Sequence, residues 1–174
     1  MKRLAILLGL FLFFCPLAFA QTDTLGLSLT VAGYGVFPAY SGAGTYDPSV
    51  GISVVGEKTL SEKVSMGVAY FSWKAKGQCV PNMVGQTIGT EVSYWVLPIE
   101  TAKFNFSFNT LPAYSTIDDG TSSEAEFTLM SSVGVRYKLK DGIYTTVKVN
   151  LVKFGQAKSD AFAIMAGMTF DLLK

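Results

Sequence analysis

An all-β chain of eight antiparallel strands, closed into an up-and-down barrel that crosses a membrane, is the fold class this sequence predicts. Three observations carry it. After Gln21, apolar residues recur at every second position in eight segments, the spacing of strands whose two faces meet different surroundings. The connections between those segments tend to alternate long and short. The side chains opposite the apolar stripe are mostly Gly, Ala, Ser, Thr and Asn, with few charges.

The first stretch, MKRLAILLGLFLFFCPLAFAQ, stands apart from this pattern. Lys2 and Arg3 precede an apolar run from Leu4 to about Phe14, and Ala18-Phe19-Ala20 closes it with small residues. That is the form of a secretory signal peptide cut before Gln21. The run is shorter than the ~20 residues a spanning helix needs, and bulky Phe13 and Phe14 before Cys15 argue against a lipid-attachment site. The expected division is residues 1–20 as signal peptide and 21–174 as a single domain. The whole chain has 14 basic and 13 acidic side chains; without Lys2 and Arg3 the remainder is near −1. No basic excess points to nucleic acid. Once Cys15 leaves, Cys79 is alone, so no intramolecular disulfide is expected.

The strands follow in order. Leu25, Leu27, Leu29 and Val31 alternate with Gly26, Ser28, Thr30 and Ala32. Val50, Ile52 and Val54 flank Gly51 and Ser53. Val64, Met66, Val68 and Tyr70 flank Ser65, Gly67 and Ala69. Ile88, Val92, Tyr94 and Val96 oppose Gly89, Glu91 and Ser93. Phe104, Phe106 and Phe108 alternate with Asn105, Ser107 and Asn109. Phe127, Leu129, Val133, Val135 and Tyr137 oppose Glu126, Thr128, Ser132, Gly134 and Arg136. Val147, Val149 and Leu151 oppose Thr146, Lys148 and Asn150. Phe162, Ile164, Met168, Phe170 and Leu172 oppose Ala161, Ala163, Gly167 and Thr169. Several segments reach the ~9–11 residues of a tilted membrane strand. The expected connections are 37–48, 57–62, 75–86, 98–102, 111–122, the tight hairpin Asp141-Gly142, and 155–159.

The faces can then be assigned. A soluble surface carries roughly 25–35% charged residues, and the polar stripe here falls far short. Small side chains suit the narrow inside of an eight-stranded barrel. The lipid-facing set is therefore expected to include Phe104, Phe106, Phe108, Val147, Val149, Leu151, Phe162, Ile164 and Phe170. A polar network in the lumen is expected from Glu91, Glu126, Arg136, Lys148 and Asn150, with Glu91 and Lys148 as partners and Arg136 and Glu126 nearer the two ends. Tyr70 and Phe162 near the long-loop ends, and Phe104, Tyr137 and Phe170 near the opposite ends, suit two interfacial girdles.

With the signal peptide, the eight amphipathic segments and the closing AFAIMAGMTFDLL, the sequence resembles the small outer-membrane β-barrels of Gram-negative bacteria, of the OmpA transmembrane-domain and OmpX type. The resemblance spans the expected mature chain as a pattern rather than a close match. It implies location in the outer membrane, contact with its lipid and lipopolysaccharide, insertion by the barrel-assembly machinery, and structural, adhesive or surface-interaction roles. The family commonly ends on an aromatic residue; this chain ends Leu172-Leu173-Lys174 and departs from that signal.

The sequence offers no catalytic, cofactor or metal motif. It has no histidine, the commonest general base. Asp118-Asp119 reads as a solvated loop tip. GISVVGEKT has Glu57 between the glycine and lysine of a phosphate-loop spacing and lies in strand residues, so it is a decoy. The sequon at Asn105 lies in a strand, and Cys79 has no second ligand nearby. Function is left to the loops, where Phe37, Tyr40 and Tyr46 are candidate contacts for an extracellular partner or covers for the rim. Two alternatives stay open: a narrow channel for small solutes, and a secreted soluble barrel that binds an apolar ligand.

Overall fold

The computed structural model describes residues 26–38, 47–77, 82–118, 120–154 and 160–173. The expected signal peptide, Tyr40, Tyr46 and Cys79 lie outside the described residues. Eight strands follow one another: β1 (Leu27–Pro38), β2 (Ser49–Ser61), β3 (Val64–Ala75), β4 (Met83–Trp95), β5 (Phe104–Asp118), β6 (Ser123–Lys140), β7 (Ile143–Phe154) and β8 (Asp160–Leu173). Each pairs antiparallel with its neighbour in sequence, and β1 pairs with β8 to close the barrel.

Closure fixes a stagger. From Thr30, successive strand partners run through Val55, Ala69, Gly89 and Ala113 to Thr128. In the other direction they run through Thr169 and Tyr144 to Lys138. The two walks meet β6 ten residues apart. A stagger of this kind obliges the strands to tilt against the barrel axis, typically by roughly 35–45°. At 12 to 18 residues the strands exceed the ~9–11 of a bilayer crossing, so their ends project past the hydrocarbon.

Several expected connections turn out to be strand. Glu57 to Ser61 belongs to β2, which leaves 62–63 as the turn. Leu111 to Asp118 belongs to β5, which leaves 119–122. The connection expected at 98–102 widens to 96–103. β5 extends because the inward face near the loop end is itself apolar. There Leu111 and Ala113 point inward while Pro112 and Tyr114 point outward, and an apolar pair of faces erases the period-two signal. The 141–142 turn is as expected, with Gly142 at φ +73°, a left-handed conformation that glycine adopts without strain.

The arrangement is inside-out. Val147, Val149, Phe106 and Ile164 are each 40% or more exposed on the outer wall, whereas Lys148 and Asn105 are 3% exposed inside it. A soluble barrel would reverse these, so that alternative fails on the side-chain directions. No helix among the described residues is long and apolar enough to cross a membrane; an apolar outer wall on a closed sheet lets strands do so, because closure leaves no unpaired edge in hydrocarbon.

The lumen departs from the expected filling of small and hydrophilic side chains. Near the loop end it holds Tyr34, Phe71, Leu111, Met130, Val152 and Met165, all buried in one cluster. The ionised side chains gather toward the end that carries the short turns. The interior is thus graded along its axis, with the buried ion pairs toward the short turns and the apolar cluster toward the loops, beside a few inward polar side chains.

Candidate functional site

The charged level is built from four strands. Glu57 of β2 and Arg136 of β6 meet across the barrel at 3.1 Å, both almost fully buried. Glu91 of β4 and Lys148 of β7 form a second buried ion pair. Each residue sits on the inward parity of its strand, which is why four separate strand registers converge on one level. Hydroxyls complete the shell: Ser65 Oγ donates to Glu57 Oε1 at 2.5 Å and Ser93 Oγ to Glu91 Oε1 at 3.3 Å. Trp95 Nε1 donates to Ser65 Oγ at 3.0 Å. The Arg136 guanidinium lies 4.1 Å from the Trp95 ring centroid and 5.5 Å from that of Tyr144. Stacking of a desolvated guanidinium on an indole adds about 2 kcal/mol.

Two ladders of small polar groups brace the wall. Thr169 hydrogen-bonds Thr30 at 2.7 Å and Thr146 at 2.9 Å. Ser115 hydrogen-bonds Thr87 at 2.8 Å and accepts from Thr128 Oγ1 at 2.7 Å. Above the charges, Tyr34 meets Phe71 edge-on at 5.7 Å between ring centroids, and Ser53 Oγ donates to Met165 Sδ at 3.2 Å. The apolar cluster and the ion pairs therefore close the lumen at two successive levels.

Below the charges, at the end where β1 begins and β8 ends, the barrel opens into a vestibule of about 430 Å³. Its wall includes Ser28, Thr59, Arg136, Lys138, Tyr144 and Asp171, and the 96–103 connection crosses it with Ile99, Glu100 and Thr101. Asn105 holds that connection by accepting from Leu97 N–H at 3.0 Å and donating to Leu97 O at 2.8 Å. The Ile99 N–H donates to Glu62 O at 2.8 Å, tying it to the 62–63 turn.

The residues singled out from sequence fall as follows. Glu91, Arg136, Lys148 and Asn150 are buried in the lumen. Glu126 is half-buried on the inward parity near the loop end, away from the ion pairs. Phe104, Phe106, Phe108, Val147, Val149, Leu151, Ile164 and Phe170 are exposed on the outer wall, with Phe162 half-buried beside them. Phe37, expected in the first long connection, is corrected in its placement: it belongs to β1 and packs on Phe162 at 6.2 Å on the outer wall. Strand pairing carries it there, since Phe37 and Phe162 are register partners. Glu57 is the main omission. Its position after Gly56, in what reads as a turn, concealed it; continued inward parity from Ser53 and Val55 was the available signal.

A closed sheet with an apolar exterior, a filled lumen and no open edge defines a membrane-spanning β-barrel of the small eight-stranded class. Solved structures of that class superpose on it. The outer membrane protein OprG from Pseudomonas aeruginosa matches at a TM-score of 0.66 and 12% identity, over 87% of this chain and 98% of that one. Neisserial surface protein A gives 0.63 and 13%, over 86% and 100%. The N-terminal β-barrel domain of Pseudomonas aeruginosa OprF gives 0.57 and 14%, over 83% and 97%. No family model matches the chain, and no curated protein matches it in sequence.

Proposed function

We propose that this chain is an integral outer-membrane protein of a Gram-negative bacterium whose role is structural or surface-interacting, with a lumen held shut by its own side chains. The single observation that carries the reading is the pairing of an apolar outer wall with an interior filled at two levels: buried ion pairs below and an apolar cluster above. Residues 1–20 serve as the export signal, and the short turns lie on the periplasmic side, as they do in bacterial barrels. Lipid and lipopolysaccharide surround the wall, the barrel-assembly machinery inserts it, and the loops between odd and even strands face outward toward any surface partner. The filled interior disfavours the channel reading, and a structural or surface role needs no catalytic group.

The test is expression with the native leader, followed by outer-membrane fractionation and gel mobility. The expected result is recovery in the outer-membrane fraction of a species whose mobility shifts on boiling. Recovery as a monodisperse protein without detergent would overturn the reading.

A further inference from the structure

We infer that the outer wall carries a contact surface for a second copy of this chain, centred on Thr90, Thr110 and Ser131 within the apolar band. The inference rests on the barrel lying in a bilayer and not on which bilayer holds it. Thr110 of β5 and Ser131 of β6 are register partners, and both are exposed on the outward parity. Pro112, two residues on, is exposed as well, and Thr90 of β4 is half-buried beside it. Depth sets the chemistry. Thr110 stands six residues beyond Phe104 and four before Tyr114. Phe104 meets Phe106 edge-on toward the short turns, and Tyr114 meets Phe127 edge-on toward the loops. Ten residues at about 3.3 Å each, tilted by about 40°, rise roughly 25 Å, the height of the apolar band of a membrane barrel. The hydroxyls therefore face acyl chains, between the two headgroup layers.

Acyl chains offer neither donor nor acceptor, and none of the three hydroxyls has a hydrogen-bond partner among the described residues. The seam between β4 and β5 also lapses here. No ladder partners join Thr90 and Glu91 to Leu111 and Pro112, so backbone polar groups lie in the same patch. A hydroxyl both donates and accepts, so the patch is complementary to itself. A two-fold axis along the membrane normal sets one patch against its copy and satisfies both. Shape agrees with chemistry. Thr110 and Pro112 form a notch between the larger Phe108 and Tyr114 of the same strand, and Leu129 and Leu151 flank it on β6 and β7; all four flanking side chains are exposed. Small side chains at the centre let the two walls approach closely while the apolar rim packs around them. A lipid headgroup does not reach this depth, and an acyl chain leaves the hydroxyls unpaired.

Disulfide capture in native membranes tests the contact. In the Cys79→Ser chain, expressed with its leader, Thr110→Cys and Ser131→Cys are co-expressed and oxidised with copper phenanthroline. Ile52→Cys, exposed on β2 four strands away from β6, is the control for random collision. The expected result is a species of twice the monomer mass from the patch cysteines and none from the control. Sedimentation equilibrium in density-matched micelles then compares the Cys79→Ser chain with its Thr90→Val, Thr110→Val, Ser131→Ala variant, in which apolar groups replace the hydroxyls. The dimer dissociation constant should rise by about tenfold. The mobility shift on boiling shows that each chain is folded; its absence from the parent chain would count against the membrane barrel itself, and not against this contact alone. If only the triple variant fails to fold, capture decides. No capture, equal capture at Ile52, capture of a protein of different mass, or an unchanged dissociation constant overturns the proposal.

Discussion

Lys148 and Glu91 show how a residue reads differently in sequence and in the folded wall. Each interrupts an apolar run at the inward parity, so the sequence marks both as lumen residues, and the barrel then brings them together from β4 and β7. A charge buried without its partner costs far more than the pair contributes. Lys148→Met and Glu91→Gln should each destabilise the barrel by about 3–5 kcal/mol. The double variant should cost clearly less than the two added together, as measured by urea unfolding in lipid vesicles. Strict additivity would mean that the two groups do not interact. On the outer wall the sign of the rule reverses. Val149→Arg, near the middle of β7, should cost about 2–4 kcal/mol in the same assay, whereas Leu172→Arg, near the end of β8, should cost less than about 1 kcal/mol.

The strand pairs decide where the wall is strong. The β4–β5 ladder pairs Gly89 with Ala113 and Val92 with Thr110, and no partners are recorded between them, where Thr90, Glu91, Leu111 and Pro112 lie. Proline has no N–H to donate, so Pro112 interrupts the seam within the membrane-spanning stretch. Amide exchange should therefore be faster at Thr90 and Glu91 than at Val68 and Ala69 of the continuous β3–β4 seam, and Pro112→Val should slow it. Exchange at equal rates would show that the seam is intact. A close approach sets the opposite limit at β1–β8. A Cβ on Gly167 would fall on Val31 O and Ala32, both part of the closing strand. Gly167→Val should prevent closure and abolish the mobility shift on boiling, while the neighbouring outward Ala166→Val should keep it.

At the scale of the whole barrel, the lumen is closed twice. Opening only the charged level, as in the Glu91→Gln, Lys148→Met double variant, should leave planar bilayers without steady conductance, because Tyr34, Phe71 and Met165 still fill the level above. Adding Phe71→Ser and Met165→Ser should produce measurable current. Conductance from the first variant alone would show that the apolar level does not seal.

The sequence by itself determined the number of strands, their faces and the inside-out arrangement, because period two survives wherever one face is apolar and the other polar. It also marked Glu91, Arg136 and Lys148, since a charge within such a stripe has nowhere to go but inward. The tertiary structure alone decided that Glu57 partners Arg136, that β5 continues through Leu111 to Asp118, and that the upper lumen is apolar. The β5 extension was hidden because both its faces there are apolar, while the other two depend on the ten-residue stagger that closure imposes. That stagger sets which residues share a level, and no local spacing along the chain encodes it.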